Sequence, residues 1–326
     1  MVVKLSILDL AHVPLGSDVA QALRNTLDYA RHADLLGYQR FWLAEHHNMP
    51  GIASAATSVV IGQVAAATQR IRVGAGGIML PNHSPLVIAE QFGTLEALFP
   101  GRIDLGLGRA PGTDGLTWRA LRRDPSASDR FPDDVLELQS LLGPVQPGQR
   151  VRAVPGADSN VPLWILGSSL FGAQLAAKFG LPYAFASHFA PAALNDALRV
   201  YRENFQPSAQ LQNPYAMAGV NVIVADTDEE ARYLFTSLQQ VVVGIVTGTR
   251  GRLAPPVDHL DSLPPQVQHQ VNGFLGCSCV GSPQTVRAGL EELVAETGAD
   301  ELIVASAIFD HAARVRSSEL LAQCCL

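Results

Sequence analysis

Short, wholly apolar runs alternate with longer amphipathic runs along nearly the whole chain. Strands buried on both faces read as continuous apolar runs, and such runs separated by helical segments indicate parallel strands joined by crossover helices. The first strand is expected at Lys4–Leu10, followed by a helix over Asp18–Leu36 that Asp18 caps and Gly37 stops. Further strands are expected at Gln39–Ala44, Ile71–Ile78, Ile103–Leu107, Pro162–Leu166, Tyr183–Ala186, Ala216–Ala225 and Glu301–Ala305. Each has a helix behind it, among them Ser54–Thr68, Ser84–Leu98 and Pro283–Thr297. Eight such units predict an α/β fold, a (β/α)8 TIM barrel, which needs about 250 residues. The 326 residues therefore read as one barrel domain, with an irregular insertion at about 247–280 between the seventh and eighth strands. An open doubly wound sheet would carry a nucleotide fingerprint after its first strand, and Asp9–Gly16 has none. The glycines Gly106, Gly108 and Gly112 follow the fourth strand instead, with Pro111 where a helix would have to start.

Composition narrows the function. With 48% hydrophobic and 16% charged residues the chain suits a large buried core rather than disorder. A formal net charge of −7 opposes nucleic-acid binding. The short stretch Arg119, Arg122 and Arg123 is flanked by Asp124 and Asp129 and reads as a solvated face. The N-terminal run is broken by Asp9 and His12 and is a poor signal peptide, and no window reaches the roughly 20 apolar residues of a membrane span. A cytoplasmic, non-membrane protein is expected. Cys277, Cys279, Cys324 and Cys325 have neither zinc-finger nor disulfide-framework spacing and read as ordinary thiols.

Barrel enzymes build their sites at the C-terminal ends of the strands. The polar residues just past those ends are Asp9 and His12, Glu45-His46-His47-Asn48, Gly106–Arg109, Gly167-Ser168-Ser169 and Ser187-His188. Adjacent residues on an extended segment point to opposite sides, so His46 and His47 are not expected to share a metal, and no metal is assigned. Acid/base work or contact with a flavin by one of them suits a barrel mouth, with structural hydrogen bonding and metal ligation as the alternatives. Gly167-Ser168-Ser169 opens a helix whose free N–H groups suit a phosphate, with Gly172 admitting a ligand to the first turn and Arg109 adding a bidentate contact. The alternative is that Ser168 or Ser169 is only an N-cap. The glycines Gly74, Gly76 and Gly77 would allow a flat ring to lie against the backbone.

Together, the segments Phe41–His47, Val73–Pro81, Gly101–Arg109 and Pro162–Ser169 resemble the bacterial luciferase-like flavin monooxygenase family. They stand in that family's order and spacing, and the likeness extends to Gly281-Ser282-Pro283. The resemblance implies reduced FMN, supplied by a separate flavin reductase, reacting with O2 to act on a small organic substrate. It implies that His46 is catalytic and that Gly76–Gly77 is a non-proline cis peptide beneath the flavin ring. It implies phosphate contacts from Arg109, Ser168, Ser169 and the Gly172 backbone. It also implies a homodimer, whose seam would use the helices after the second and third strands. Ser168 replaces an acidic residue of luciferase itself and Gly108 replaces a cysteine, which argues against light emission. The closer likeness is to luciferase-like oxidoreductases of undefined substrate. Relatives on the same barrel use a deazaflavin for hydride transfer, so that chemistry is the second reading. A flavin-binding protein without turnover is the third, and His46 counts against it. The segment Thr247–Leu263, rich in glycine and proline, is expected to cover the pocket mouth.

Overall fold

In the computed structural model, which describes residues 3–110, 112–260 and 262–326, the apolar runs become strands. In chain order the elements are β1 (Lys4–Asp9), α1 (Val19–Leu36), β2 (Arg40–Leu43), α2 (Thr57–Ala67), β3 (Arg72–Met79), α3 (Pro85–Leu98), β4 (Ile103–Gly108), α4 (Gly115–Ala120) and α5 (Phe131–Leu142). The second half adds β5 (Leu163–Gly167), α6 (Leu170–Phe179), β6 (Tyr183–Phe185), α7 (Leu194–Glu203), β7 (Ala216–Val224) and α8 (Asp228–Thr247). It ends with α9 (Pro265–Phe274), β8 (Ser278–Gly281), α10 (Pro283–Thr297), β9 (Glu301–Ala305) and α11 (His311–Cys325). Strands β1 to β7 pair in sequence and β9 lies between β7 and β1, so eight parallel strands close into a TIM barrel. The ninth, β8, pairs with β7 outside the ring. Together with α9 it occupies the stretch read from sequence as irregular. That stretch lacks a clean period because α9 buries only one residue fully, Val271. Pro111 lies outside the described residues.

Local signals act as anticipated at α1. The Asp18 side chain accepts from the Gln21 N–H, and Gly37 takes φ 90°, a left-handed conformation that costs glycine little.

Most of the apolar core lies between the strands and the helix ring. Inside the barrel a second cluster stacks Leu8, Trp42, Trp164, Met217 and Ile303, with the two indoles edge-on at 5.1 Å. Beneath it the N-terminal end of the barrel is plugged by charge. Arg40 donates to Asp104 at 2.8 Å and Glu301 at 3.0 Å, and Arg72 donates to Asp104 at 2.6 Å. Trp42 Nε1 also donates to Asp104, and Ser6 and Tyr215 donate to Glu301. Both carboxylates are wholly buried, and only such dense pairing offsets their lost hydration.

The opposite end is held by two ties. Arg314 of α11 reaches Asp9 at the end of β1 at 2.8 Å and lies 4.0 Å over the Tyr29 ring. Asp9 also accepts from Ala11 N–H and Thr26 Oγ1. After α8 the chain crosses the mouth as a strap. Leu253 is buried and pairs with the loop after β1, its N–H donating to Val13 at 3.1 Å and its carbonyl accepting from Leu15 at 2.7 Å. Among the described residues no helix is long and apolar enough to cross a membrane.

Candidate active site

The strap, the strand ends and the first turn of α6 enclose a cavity of about 1,120 Å³. That is slightly more than a usual single-ligand pocket, so it has room for a cofactor and a substrate together. Of the residues singled out from sequence, His46, Gly76, Arg109, Ser168, Ser169 and Gly172 line it. Gly77 does not border it: a Cβ there would stand 2.8 Å from the Gly106 carbonyl oxygen, so this glycine serves the close approach of β3 to β4. The Gly76–Gly77 peptide is cis. A second cavity, of about 970 Å³ between α8 and β8, contains none of these residues.

The corner that the sequence marks out as a candidate phosphate site is built by β4, β5 and α6. Ser169 is the N-cap residue of α6, yet its side chain makes no capping bond. The Arg109 guanidinium lies 4.0 Å from the Phe171 ring centroid and has no acidic partner among the described residues. The Ser168 and Ser169 hydroxyls and the Arg109 charge are thus left for a ligand. Gly172 behaves differently from the expectation. A Cβ there would stand 3.2 Å from the Tyr183 ring and 3.3 Å from Gly167, so its missing side chain clears protein as well as ligand.

The Glu45-His46-His47 segment divides its side chains as strand alternation requires. His46 faces the cavity, with Nδ1 3.4 Å from the Gly112 carbonyl. His47 turns away and donates to Glu45 Oε1 at 2.8 Å. His83 donates to the same oxygen at 2.8 Å, and Met79 N–H donates to the other at 3.0 Å. Burial would raise the Glu45 pKa, but the His47 and His83 hydrogen bonds outweigh it and bring it down to about 2. Glu45, His47 and His83 also offer ligand atoms within 4.8 Å of one another, the one group of this kind among the described residues. Ligands 2.0–2.1 Å from a tetrahedral ion stand roughly 3.3 Å apart. The 2.8 Å contacts here are hydrogen bonds, and they fix the loop that carries His46.

Beside the buried Asp9–Arg314 ion pair, three histidines of the mouth are pushed towards their neutral forms. Burial pulls the His46 pKa below its ordinary value, opposed by the hydrogen bond to Gly112. His12 falls to about 4 through burial and then the Arg314 charge, and His188 falls to about 4 through burial and then His46. Sequence reasoning noted His12 and His188 past strand ends without giving them roles, and it missed His83 and Arg314. Arg314 carries no local signal, because only the docking of α11 onto β1 brings it to the cavity.

Comparison with known proteins agrees with this architecture. The family model described as luciferase-like monooxygenase matches residues 3–301. A luciferase-like monooxygenase of Escherichia coli K12 is 55% identical over 317 residues, covering 97% of this chain and 95% of that protein. The N-acetyl-S-alkylcysteine monooxygenase of Bacillus subtilis 168 is 35% identical over 255 residues, covering 76% and 75%. Among solved structures, apo-MsnO8 superposes with a TM-score of 0.92 at 38% identity over 99% of this chain and 98% of that one. With the match running almost from end to end, the chain belongs to the luciferase-like monooxygenase family.

Proposed function

We propose that this protein is a flavin-dependent monooxygenase that takes reduced FMN from a separate reductase and uses O2 to oxidise a small organic substrate. The observation that carries this reading is the convergence of Arg109, Ser168 and Ser169 on the start of α6 in the cavity that His46 lines, the guanidinium without an acidic partner and the Ser169 hydroxyl without a capping bond among the described residues. A phosphate there meets a guanidinium, two hydroxyl donors and the positive end of a helix. The apolar wall beside Gly76, formed by Leu8 and Trp42, suits a flat aromatic ring and excludes water.

When bound, reduced FMN supplies the electrons that activate O2, one oxygen atom entering the substrate and the other leaving as water. His46 handles a proton. A bond from Nδ1–H to the Gly112 carbonyl leaves the Nε2 lone pair to take a proton and later return it. Burial keeps the ring neutral near pH 7, as a base needs to be. Glu45, braced by His47 and His83, holds the loop rather than the substrate.

The test is a flavin titration. FMN should bind, and Arg109→Ala should lose about 1.5–3 kcal/mol of affinity, the range for a charge-assisted hydrogen bond. Unchanged affinity in the variant would overturn the phosphate assignment. With FMN, NADH and a flavin reductase present, a substrate screen should find oxygen-dependent product. The absorption spectrum of cofactor purified with the protein separates FMN from a deazaflavin.

A further inference from the structure

The proposed FMN contacts come from β3, β4 and β5, which leaves the arc of the mouth formed by β6, β7 and β9 without a role. His188 stands on that arc, just past β6, and lines the cavity. Its ring is fixed from several sides. Nδ1 is shut from solvent against Gly219 of β7, where any Cβ would collide with that nitrogen. The Phe189 ring meets it edge-on at 5.0 Å, and Asn221 Nδ2 donates to the His188 carbonyl at 2.6 Å.

Nδ1 has no hydrogen-bond partner among the described residues. A neutral imidazole carries one proton, on one nitrogen or the other. A buried N–H without an acceptor forfeits its hydration with nothing in return, and orphaned donors are rarer than under-used acceptors. The proton therefore belongs on Nε2, at the edge of the ring turned away from Gly219, which is the part left to line the cavity. Burial and the neighbouring His46 keep the ring uncharged. The cavity wall on this side includes Phe189, Ile303 and, from the end of α9, Leu275, while the polar Asn221 and Ser306 that also line it are engaged by the His188 and Val222 carbonyls.

We propose that His188 is a substrate-positioning residue, a neutral Nε2–H donor that orients the carbonyl oxygen of an otherwise apolar organic substrate. This assignment of the arc to substrate rests on FMN occupying the β3–β5 side. A donor in a dry pocket favours a ligand that offers an acceptor and penalises one that lacks it.

The experiment uses FMN-loaded protein with 15N-labelled histidines, the His188 resonances being assigned with His188→Gln. Nδ1 should show a pyridine-type shift and Nε2 a pyrrole-type shift. Acetophenone should move the Nε2 signal and bind roughly five- to tenfold more tightly than ethylbenzene, its counterpart without the carbonyl. His188→Leu should abolish that preference while leaving FMN affinity unchanged, and His188→Gln, which keeps an N–H donor, should restore most of it. Gly219→Ala, which displaces the ring, should behave like His188→Leu. A protonated Nδ1, an equal affinity for the two probes, or an unaltered preference in His188→Leu would overturn the proposal. Failure of FMN to bind the unaltered protein would strike the flavin reading and with it the assignment of the arc to substrate, whereas the Nε2–H tautomer and the preference for acetophenone, both measurable without flavin, test His188 separately.

Discussion

Acid should loosen this fold well before its carboxylates are touched. His12 and His188 are held near 4 in the fold against an ordinary value of 6.5. A folded value below the unfolded one means that the unfolded chain binds more protons, so stability is full above pH 6.5 and is lost as the pH falls towards 4. At pH 5 almost every unfolded imidazole is protonated, whereas a ring held near 4 is about one-tenth protonated. The difference is about 2 kcal/mol per ring and about 4 kcal/mol for the pair. That is a large part of the 5–15 kcal/mol that stabilises a typical protein. His46 shifts in the same direction and adds to the effect. Glu45 belongs to a separate, lower window, since its stabilisation persists above its unfolded value of 4.5 and disappears only as the pH falls towards 2. Urea denaturation followed by tryptophan fluorescence, at steps from pH 8 to pH 5, should show the midpoint falling mainly below pH 6.5. His12→Gln should flatten that slope by about half. A midpoint that does not move between pH 8 and pH 5 would refute the reasoning.

Under saturating reduced FMN, His46→Ala should keep flavin affinity but lower turnover at least about a hundredfold. His47→Ala, which strips a hydrogen bond from buried Glu45, should cost stability more than turnover; the opposite ranking would sink the assignment. Asp104→Ala leaves Arg40 and Arg72 short of a buried partner and should lower stability by about 3–5 kcal/mol in urea denaturation, whereas a loss below 1 kcal/mol would show the plug to be dispensable. Exposed Val59 on α2 and Val87 and Leu98 on α3 suit a subunit seam, so light scattering at micromolar concentration should give twice the 34.7 kDa chain mass; a monomer mass would refute the dimer.

What the sequence made legible was whatever depends on neighbours along the chain. The barrel strands, the caps at Asp18 and Gly37, and the opposite facing of His46 and His47 follow from periodicity and local chemistry. What it hid depends on residues that are distant in sequence. His83 meets Glu45 across 38 positions, Arg314 meets Asp9 across 305, and Arg40 finds Glu301 across 261. A histidine or arginine has no periodic signature that tells a buried partner from a solvated surface. Strand β8 was hidden for another reason: only its last residue is fully buried, so it never forms the continuous apolar run that marked the barrel strands.

The Arg314–Asp9 tie ties the site to the order of synthesis. One wall of the cavity depends on a residue of the last helix clasping the end of the first strand, and the ring itself closes only where β9 pairs with β1. A ribosome making five to twenty residues each second would have produced the whole phosphate corner many seconds before Arg314 emerged. During that interval the nascent chain would carry Arg109 and the start of α6 but an open mouth, so any ligand that needs the closed cavity would have to wait for α11.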